Sequence, residues 1–291
     1  MSDATMVTPL RIAGRRPSYF DPGNWILNLL TLAFAAIWFF PVYWALATSF
    51  KTDDEAVRKG VNLLPESLHI DGYAFVIQNS DLPIWYVNSV ITSVAVTVLA
   101  VFMAACAGYA ISQLRFPGRK LLWYTVLASF MVPVSALIVN HFIIIAGVGL
   151  LNTHIGMILP MLISPVTVIV YKQFFDGLPK EFREAAVMDG ATEFQLFYRV
   201  FLPMNWGVTT ALAIITFIGA WNSFLWPFLV AQDEKMMTVT VGVSAVQDAY
   251  GVAYGRVLAG AVLASLPVAL AYLFFQRRVT QAITLSAGIK G

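Results

Sequence analysis

Residues 179–203 read PKEFREAAVMDGATEFQLFYRVFLP, a charged segment set between two apolar runs. Its local chemistry predicts two short helices with a sharp turn between them. Pro179 suits the first turn of a helix, and Glu181 and Glu184 follow early, where the positive end of the helix dipole favours acids. Phe182, Ala185 and Ala186 recur at i, i+3 and i+4 and give one narrow apolar face made mostly of small groups. Asp189-Gly190 ends this helix, because glycine accepts the left-handed conformation common just past a helix end. Thr192-Glu193-Phe194-Gln195 then has the form of a capping box, with the threonine accepting from a backbone N–H and Gln195 reaching back. Phe194, Phe197 and Phe201 continue on one face up to Leu202-Pro203. The segment holds no run long enough to cross a membrane, so its apolar face needs a partner: a bilayer surface, the chain's own bundle or another protein.

The rest of the chain is membrane material. Hydrophobic residues make up 59% of its 291 positions and charged ones only 12%, a balance that excludes a soluble globular domain. The net charge is +2, and no basic patch with interleaved aromatics points to nucleic acid. Cys106 is the one cysteine and lies in an apolar run, which rules out a disulfide framework or a cysteine metal site. His69, His141 and His154 have no ligand spacing, so no metal is expected. There is no G-x-x-x-x-G-K-[ST], no His/Glu metal pair and no nucleophile elbow; the chain is not expected to be an enzyme and has no candidate catalytic residue.

A helix needs about 20 apolar residues to cross the hydrocarbon core. Six candidates fit: residues 25–48, 87–111, 121–146, 154–171, 206–230 and 257–275, the fourth being short and holding Pro160 and Pro165. Prolines also interrupt the others at Pro41, Pro133, Pro227 and Pro267, which a bundle tolerates when neighbours satisfy the freed backbone groups. The first run is too long for a signal-peptide core and lacks a small-residue cleavage site, so it is expected to stay as an anchor. Lysines and arginines orient the bundle. The N-terminal arm (1–24), Arg115, Arg119 and Lys120, the polar loop and the tail (277–291) carry most of the 18, while the opposite loops hold Lys51, Arg58, Lys59, Lys235 and Arg256. The positive-inside rule therefore puts both termini and residues 179–203 in the cytoplasm. Residues 49–86 and 232–255 become the external segments, the first expected to be a partly ordered cap.

None of the six spans contains Asp, Glu, Lys or Arg. Ionisable groups inside a membrane usually mark proton or ion pathways, so their absence argues against a proton-coupled carrier. Uncharged polar groups do punctuate the spans. Asn88, Ser89, Asn140, Trp221 and Asn222 are the candidate substrate-path residues, since amides and hydroxyls bind a neutral hydroxyl-rich solute and an indole stacks on its apolar face. The same residue types also glue membrane helices together by interhelical hydrogen bonds, and composition does not separate the two roles.

Glu184-Ala185-Ala186, Gly190 six positions after the glutamate, and Val200-Phe201-Leu202-Pro203 together resemble the EAA loop of bacterial ABC importer permeases. Every fixed position matches in spacing, with Val200 in place of the usual isoleucine. The ending Ala287-Gly288-Ile289-Lys290-Gly291 resembles that of carbohydrate permeases of the maltose and glycerol-phosphate class, with Ile289 for the usual valine. Many members also have a proline shortly after the LP pair; here Met204-Asn205-Trp206-Gly207 follows, which leaves the bend into the next span unexplained by that pattern. The resemblance implies an all-α membrane protein with six transmembrane helices, the type I ABC importer transmembrane domain, over residues 25–276. It implies a multi-pass protein of the bacterial cytoplasmic (inner) membrane that pairs with a different permease subunit, two ATPase subunits and an external solute-binding protein. The cargo would be a sugar or sugar derivative. Glu184, Ala185, Ala186, Asp189, Gly190, Leu202 and Pro203 would couple to the ATPase, and ATP and Mg would sit on the ATPase subunits, leaving this chain without a cofactor. The rival reading is a stand-alone secondary carrier or channel for a small polar solute.

Overall fold

The computed structural model describes residues 25–58, 62–246 and 253–286, and helices are the regular secondary structure among the described residues. The expected N-terminal arm and the Ala287–Gly291 ending lie outside the described residues. Helix α1 (Trp25–Ser49) is followed by two short helices, α2 (Asp53–Val57) and α3 (Asp71–Gln78), and then by α4 (Leu82–Gln113). With 32 residues at 1.5 Å each, α4 is about 48 Å long, enough to run through the membrane and emerge at both ends. After it come α5 (Arg119–Phe130), α6 (Val134–Gly147), α7 (His154–Leu162), α8 (Pro165–Asp176) and α9 (Lys180–Met188). The chain continues through α10 (Glu193–Met204), α11 (Trp206–Trp221), α12 (Leu225–Val230) and α13 (Val239–Ala245) to α14 (Tyr254–Ser286).

Three of these helices, α1, α4 and α14, are each apolar and long enough to cross a membrane. Three more crossings are possible only as bent pairs: α5 with α6 at 102°, α7 with α8 at 47°, and α10 with α11 at 80°. The expected third span, interrupted by Pro133, is thus sharply broken. Its break falls at Met131-Val132-Pro133, where proline supplies no N–H and disfavours helical backbone in the residue before it. The expected fifth span is also broken: α11 stops at Trp221, and Asn222-Ser223-Phe224 separates it from α12.

Helix α4 is the axis of the bundle. It packs against α8 and α11 along much of its length, and α1 packs against α14. Small residues make the α4–α8 approach close. A β-carbon on Gly108 would stand 2.7 Å from Cβ of Tyr171. Around this contact Tyr109, Tyr171, Phe175, Leu196, Phe197 and Phe201 form the larger aromatic core, at the end of the bundle that carries residues 179–203. At the opposite end, the expected cap is ordered by its own polar bonds. Glu55 is buried and accepts from the Glu66 N–H at 2.9 Å, Lys51 donates to the Asn62 carbonyl, and Asp53 accepts from the Gly255 N–H at 3.1 Å.

Candidate functional site

The segment 179–203 folds as the predicted helix–turn–helix. Helix α9 stops at Asp189, Gly190 has φ +77°, and two hydrogen bonds close the turn: Gly190 N–H to Val187 O and Ala191 N–H to Ala186 O, each 3.0 Å. This is a Schellman ending, with glycine at the left-handed position and the 6→1 bond landing on the second alanine of the Glu-Ala-Ala triplet. Thr192 and Gln195 then make both bonds of the capping box, at 3.3 and 2.8 Å.

Beyond the cap the winding departs from expectation. Residues 196–201 form a π-helical turn, one residue wider than an α turn, just before Pro203 withdraws an N–H from the ladder. The wider turn rotates the faces. Phe197 and Phe201 are buried as expected, but Phe194 is exposed beside Tyr198, and Leu196 takes the buried position instead. The 80° bend into α11 is made without a proline after Leu202-Pro203. Asn205 ends α10 and lies buried, its side-chain amide donating to the Phe201 carbonyl at 2.9 Å while its own carbonyl accepts from Thr209 N–H.

Helix α9 shows the bundle only part of itself. Arg183 and Ala186 turn inward, whereas Phe182, Glu184, Ala185, Val187, Met188 and Gly190 are exposed, Met188 at 88%. Asp189 is exposed too, Leu202 is half-buried and Pro203 exposed. On the inner side, the Arg183 guanidinium pairs with the Glu193 carboxylate, and the Tyr109 hydroxyl donates to Glu193 Oε2 at 2.8 Å. Arg183 Nη1 also reaches the Tyr109 oxygen at 3.4 Å. Burial opposes the charge on Arg183, but the bonds to Glu193 and Tyr109 outweigh it and raise the guanidinium pKa above its ordinary value.

A cavity of about 600 Å³ lies between α6, α7, α8 and α11. Its wall is mainly aliphatic, and its polar groups are His141, Ser164, Thr167, Thr216 and Ser223. Ser164 and Thr167 bond each other at 2.7 Å, and His141 meets the ring of Trp226 edge-on. Among the described residues, no Asp, Glu, Lys or Arg lines it.

With a largely apolar helical bundle and an exposed helix–turn–helix at one end, the comparisons with known proteins are specific. Residues 97–284 match the family described as binding-protein-dependent transport system inner membrane component. The chain belongs to this family of transport permeases. Among curated relatives, this permease is 33% identical over 91% of its length to the arabinooligosaccharides transport system permease protein AraQ of Bacillus subtilis, covering 95% of that protein. It is 33% identical to the diacetylchitobiose uptake system permease protein NgcG of Streptomyces coelicolor, over 89% of this chain and 87% of the relative. The sn-glycerol-3-phosphate transport system permease protein UgpE of Yersinia pestis is 30% identical, over 82% of this chain and 88% of the relative. A crystal structure of a bacterial ABC transporter that imports alginate shares the fold, with a TM-score of 0.77 at 20% identity over 89% of this chain and 99% of the matched chain.

The five candidate path residues of the permease are not among the residues that line the cavity, although His141 and Ser223, next in sequence to Asn140 and Asn222, both do. Asn140 and Asn222 are exposed. Trp221 is buried and its indole N–H donates to the Ala264 carbonyl at 3.2 Å. Asn88 is fully engaged: its amide donates to the carbonyls of Lys235 and Met237 at 2.8 and 3.0 Å, and its oxygen lies 3.0 Å from a ring nitrogen of His154. Ser89 accepts from Val239 N–H at 2.8 Å, and Trp85 donates to the Glu234 carbonyl at 2.8 Å. One turn at the start of α4 thus pins residues 234–239 to the bundle. Asn88→Ala leaves two carbonyls and an imidazole without their partner, and each unsatisfied buried group costs about 1–3 kcal/mol. The expected outcome is a lower thermal midpoint of the purified complex, measured in detergent, at unchanged apparent substrate affinity in uptake.

Proposed function

We propose that this permease forms part of the translocation path of an ATP-driven importer for a neutral sugar or sugar derivative, and that residues 179–203 dock onto an ATPase subunit. The carrying observation is helix α9. Its apolar Phe182, Val187 and Met188 stand exposed beside Glu184 on an element too short and too polar to be a span, held at a fixed angle by the Gly190 turn. Ala185 lets a partner's backbone come close, and Glu184 supplies a charge for it. A groove on an ATPase would bury this face; closure of an ATPase dimer on ATP would then move the loop as a lever and shift the spans between two states that it contacts differently.

The other assignments follow the same reading. Both termini and the loop face the cytoplasm, the cap and residues 232–255 face a solute-binding protein, and a second, different permease subunit completes the path. ATP and Mg reside on two ATPase subunits. The relatives named for arabinooligosaccharides and diacetylchitobiose support a sugar, and the uncharged wall of the cavity supports a neutral one. A phosphorylated cargo would need cationic contacts that this wall does not supply. Asn222, at the break between α11 and α12 and next to the cavity-lining Ser223, is the amide we assign to the cargo, together with Asn140 beside His141. Asn222→Ala should raise the apparent KM for uptake while the complex assembles normally.

Energy source separates this reading from a stand-alone carrier. In cells taking up a labelled arabinooligosaccharide through this permease, depleting ATP while the ion gradient is kept should stop uptake. Collapsing the gradient while ATP is kept should leave it running; the reverse pattern would establish a secondary carrier.

A further inference from the structure

The docking face of α9 points away from the bundle, so its motion reaches the cavity through the short link to α8 and through contacts on its inner side. The polar ones among those contacts converge on one side chain. Tyr109, 5% exposed near the end of α4, donates its hydroxyl to Glu193 Oε2 at 2.8 Å and lies 3.4 Å from Nη1 of Arg183. Arg183 belongs to α9 and Glu193 to the first turn of α10, and the two are ion-paired across the Gly190 turn. The polar side of Tyr109 therefore holds both arms of the helix–turn–helix. Its ring packs against Phe197 and Phe201 of α10 at 5.3 Å and against Phe175 of α8 at 6.0 Å. Phe175 in turn stacks on Tyr171 of the same helix. Tyr171 and Phe175 occupy the core side of α8, while Thr167, Val170 and Phe174 line the cavity from its other side.

We propose that Tyr109, Glu193 and Arg183 form a latch that makes the loop and α8 move together, with Tyr109 as the positioning residue that passes displacement of α9 to the cavity wall. The latch rests on the docking reading above. Its physical basis is contiguity: a charge-assisted hydrogen bond fixes the hydroxyl to the loop, and a packed ring that cannot yield fixes the same residue to α8. Without the hydroxyl bond, the loop stays tied to α8 by residues 177–179 and by the Phe175–Phe201 ring contact, but the polar tie that holds both of its arms is lost, and less of the displacement of α9 reaches α8.

Hydrogen exchange by mass spectrometry on the complete importer in nanodiscs, with and without ATP and vanadate, reads loop and wall separately. In the native complex, nucleotide should change exchange both in residues 180–188 and in residues 165–176. Tyr109→Phe keeps the ring in the core, and Glu193→Gln keeps the size of the partner; each should leave the change at 180–188 and reduce that at 165–176 about fivefold or more. Because Tyr109→Phe removes the bond and Glu193→Gln removes the charge that strengthens it, the two act on one interaction, and the double variant should be little worse than the stronger single one. A full response at 165–176 in both single variants would overturn the latch and leave docking standing. A native complex with no nucleotide response at 180–188 would overturn docking, and the latch with it.

Discussion

Gly190→Val is expected to leave the chain in the membrane and to abolish uptake. Gly190 holds φ +77°, a conformation that costs an L-residue about 1–2 kcal/mol and a β-branched one more. Nothing lies within 4 Å of where its β-carbon would stand, so the effect comes from the backbone and not from crowding inside this chain. The cheapest escape for valine is to leave the left-handed region. That would break the bonds from Gly190 to Val187 and from Ala191 to Ala186 and swing α9 away from the Thr192 cap. The spans do not depend on this turn. Membrane fractionation should therefore recover the variant at native level, while uptake falls below detection and ATPase no longer co-purifies. Gly190→Ala, strained in the same sense but less bulky, should retain part of both.

Gly108→Val has the largest expected effect on stability. Helices α4 and α8 meet where Gly108 faces Tyr171, and even one added carbon would lie 2.7 Å from Tyr171 Cβ and 3.1 Å from Lys172 N, atoms that cannot swing aside. Overpacking of this kind costs about 1–3 kcal/mol or more. It also pushes Tyr109, the next residue, out of the ring of Phe175, Phe197 and Phe201. A fall of about 5 °C or more in the thermal midpoint of the detergent-purified complex is expected, from the usual size dependence of such shifts. Gly118→Ala, at an open left-handed position on the surface, should cost far less because nothing packs within 4 Å of it.

Sequence made the outline of this protein legible because hydropathy and turn chemistry are local. The apolar runs, the Gly190 turn and the Thr192–Gln195 cap each declare themselves within a few residues, and the structure reproduces them. Proline marks where the third crossing breaks, but the 102° angle depends on what α5 and α6 pack against. The bend at Asn205 was not legible, because Met204-Asn205-Trp206-Gly207 lacks the proline common after the LP pair and the bond from the Asn205 amide to Phe201 O is a tertiary fact. Phe194 misled because heptad-like spacing presumes 3.6 residues per turn, and the π-helical turn at 196–201 resets the phase. Tyr109 and Glu193 are 84 positions apart, so only the opposite charges of Arg183 and Glu193 flanking the turn hinted at the latch. Polar residues inside spans remain the hardest to read: Asn88 and Asn222 look alike in sequence, yet one holds three partners and the other lies exposed at a helix break.

The central claim is that α9 and its turn exist to engage an ATPase. Extraction of the tagged chain from its native membrane in mild detergent, followed by identification of what remains bound, tests it directly. The account predicts one ATPase in about two copies per complex together with a second, different permease, and loss of the ATPase alone in Gly190→Val. Recovery of the native chain by itself, under conditions that keep known ABC complexes intact, would contradict it.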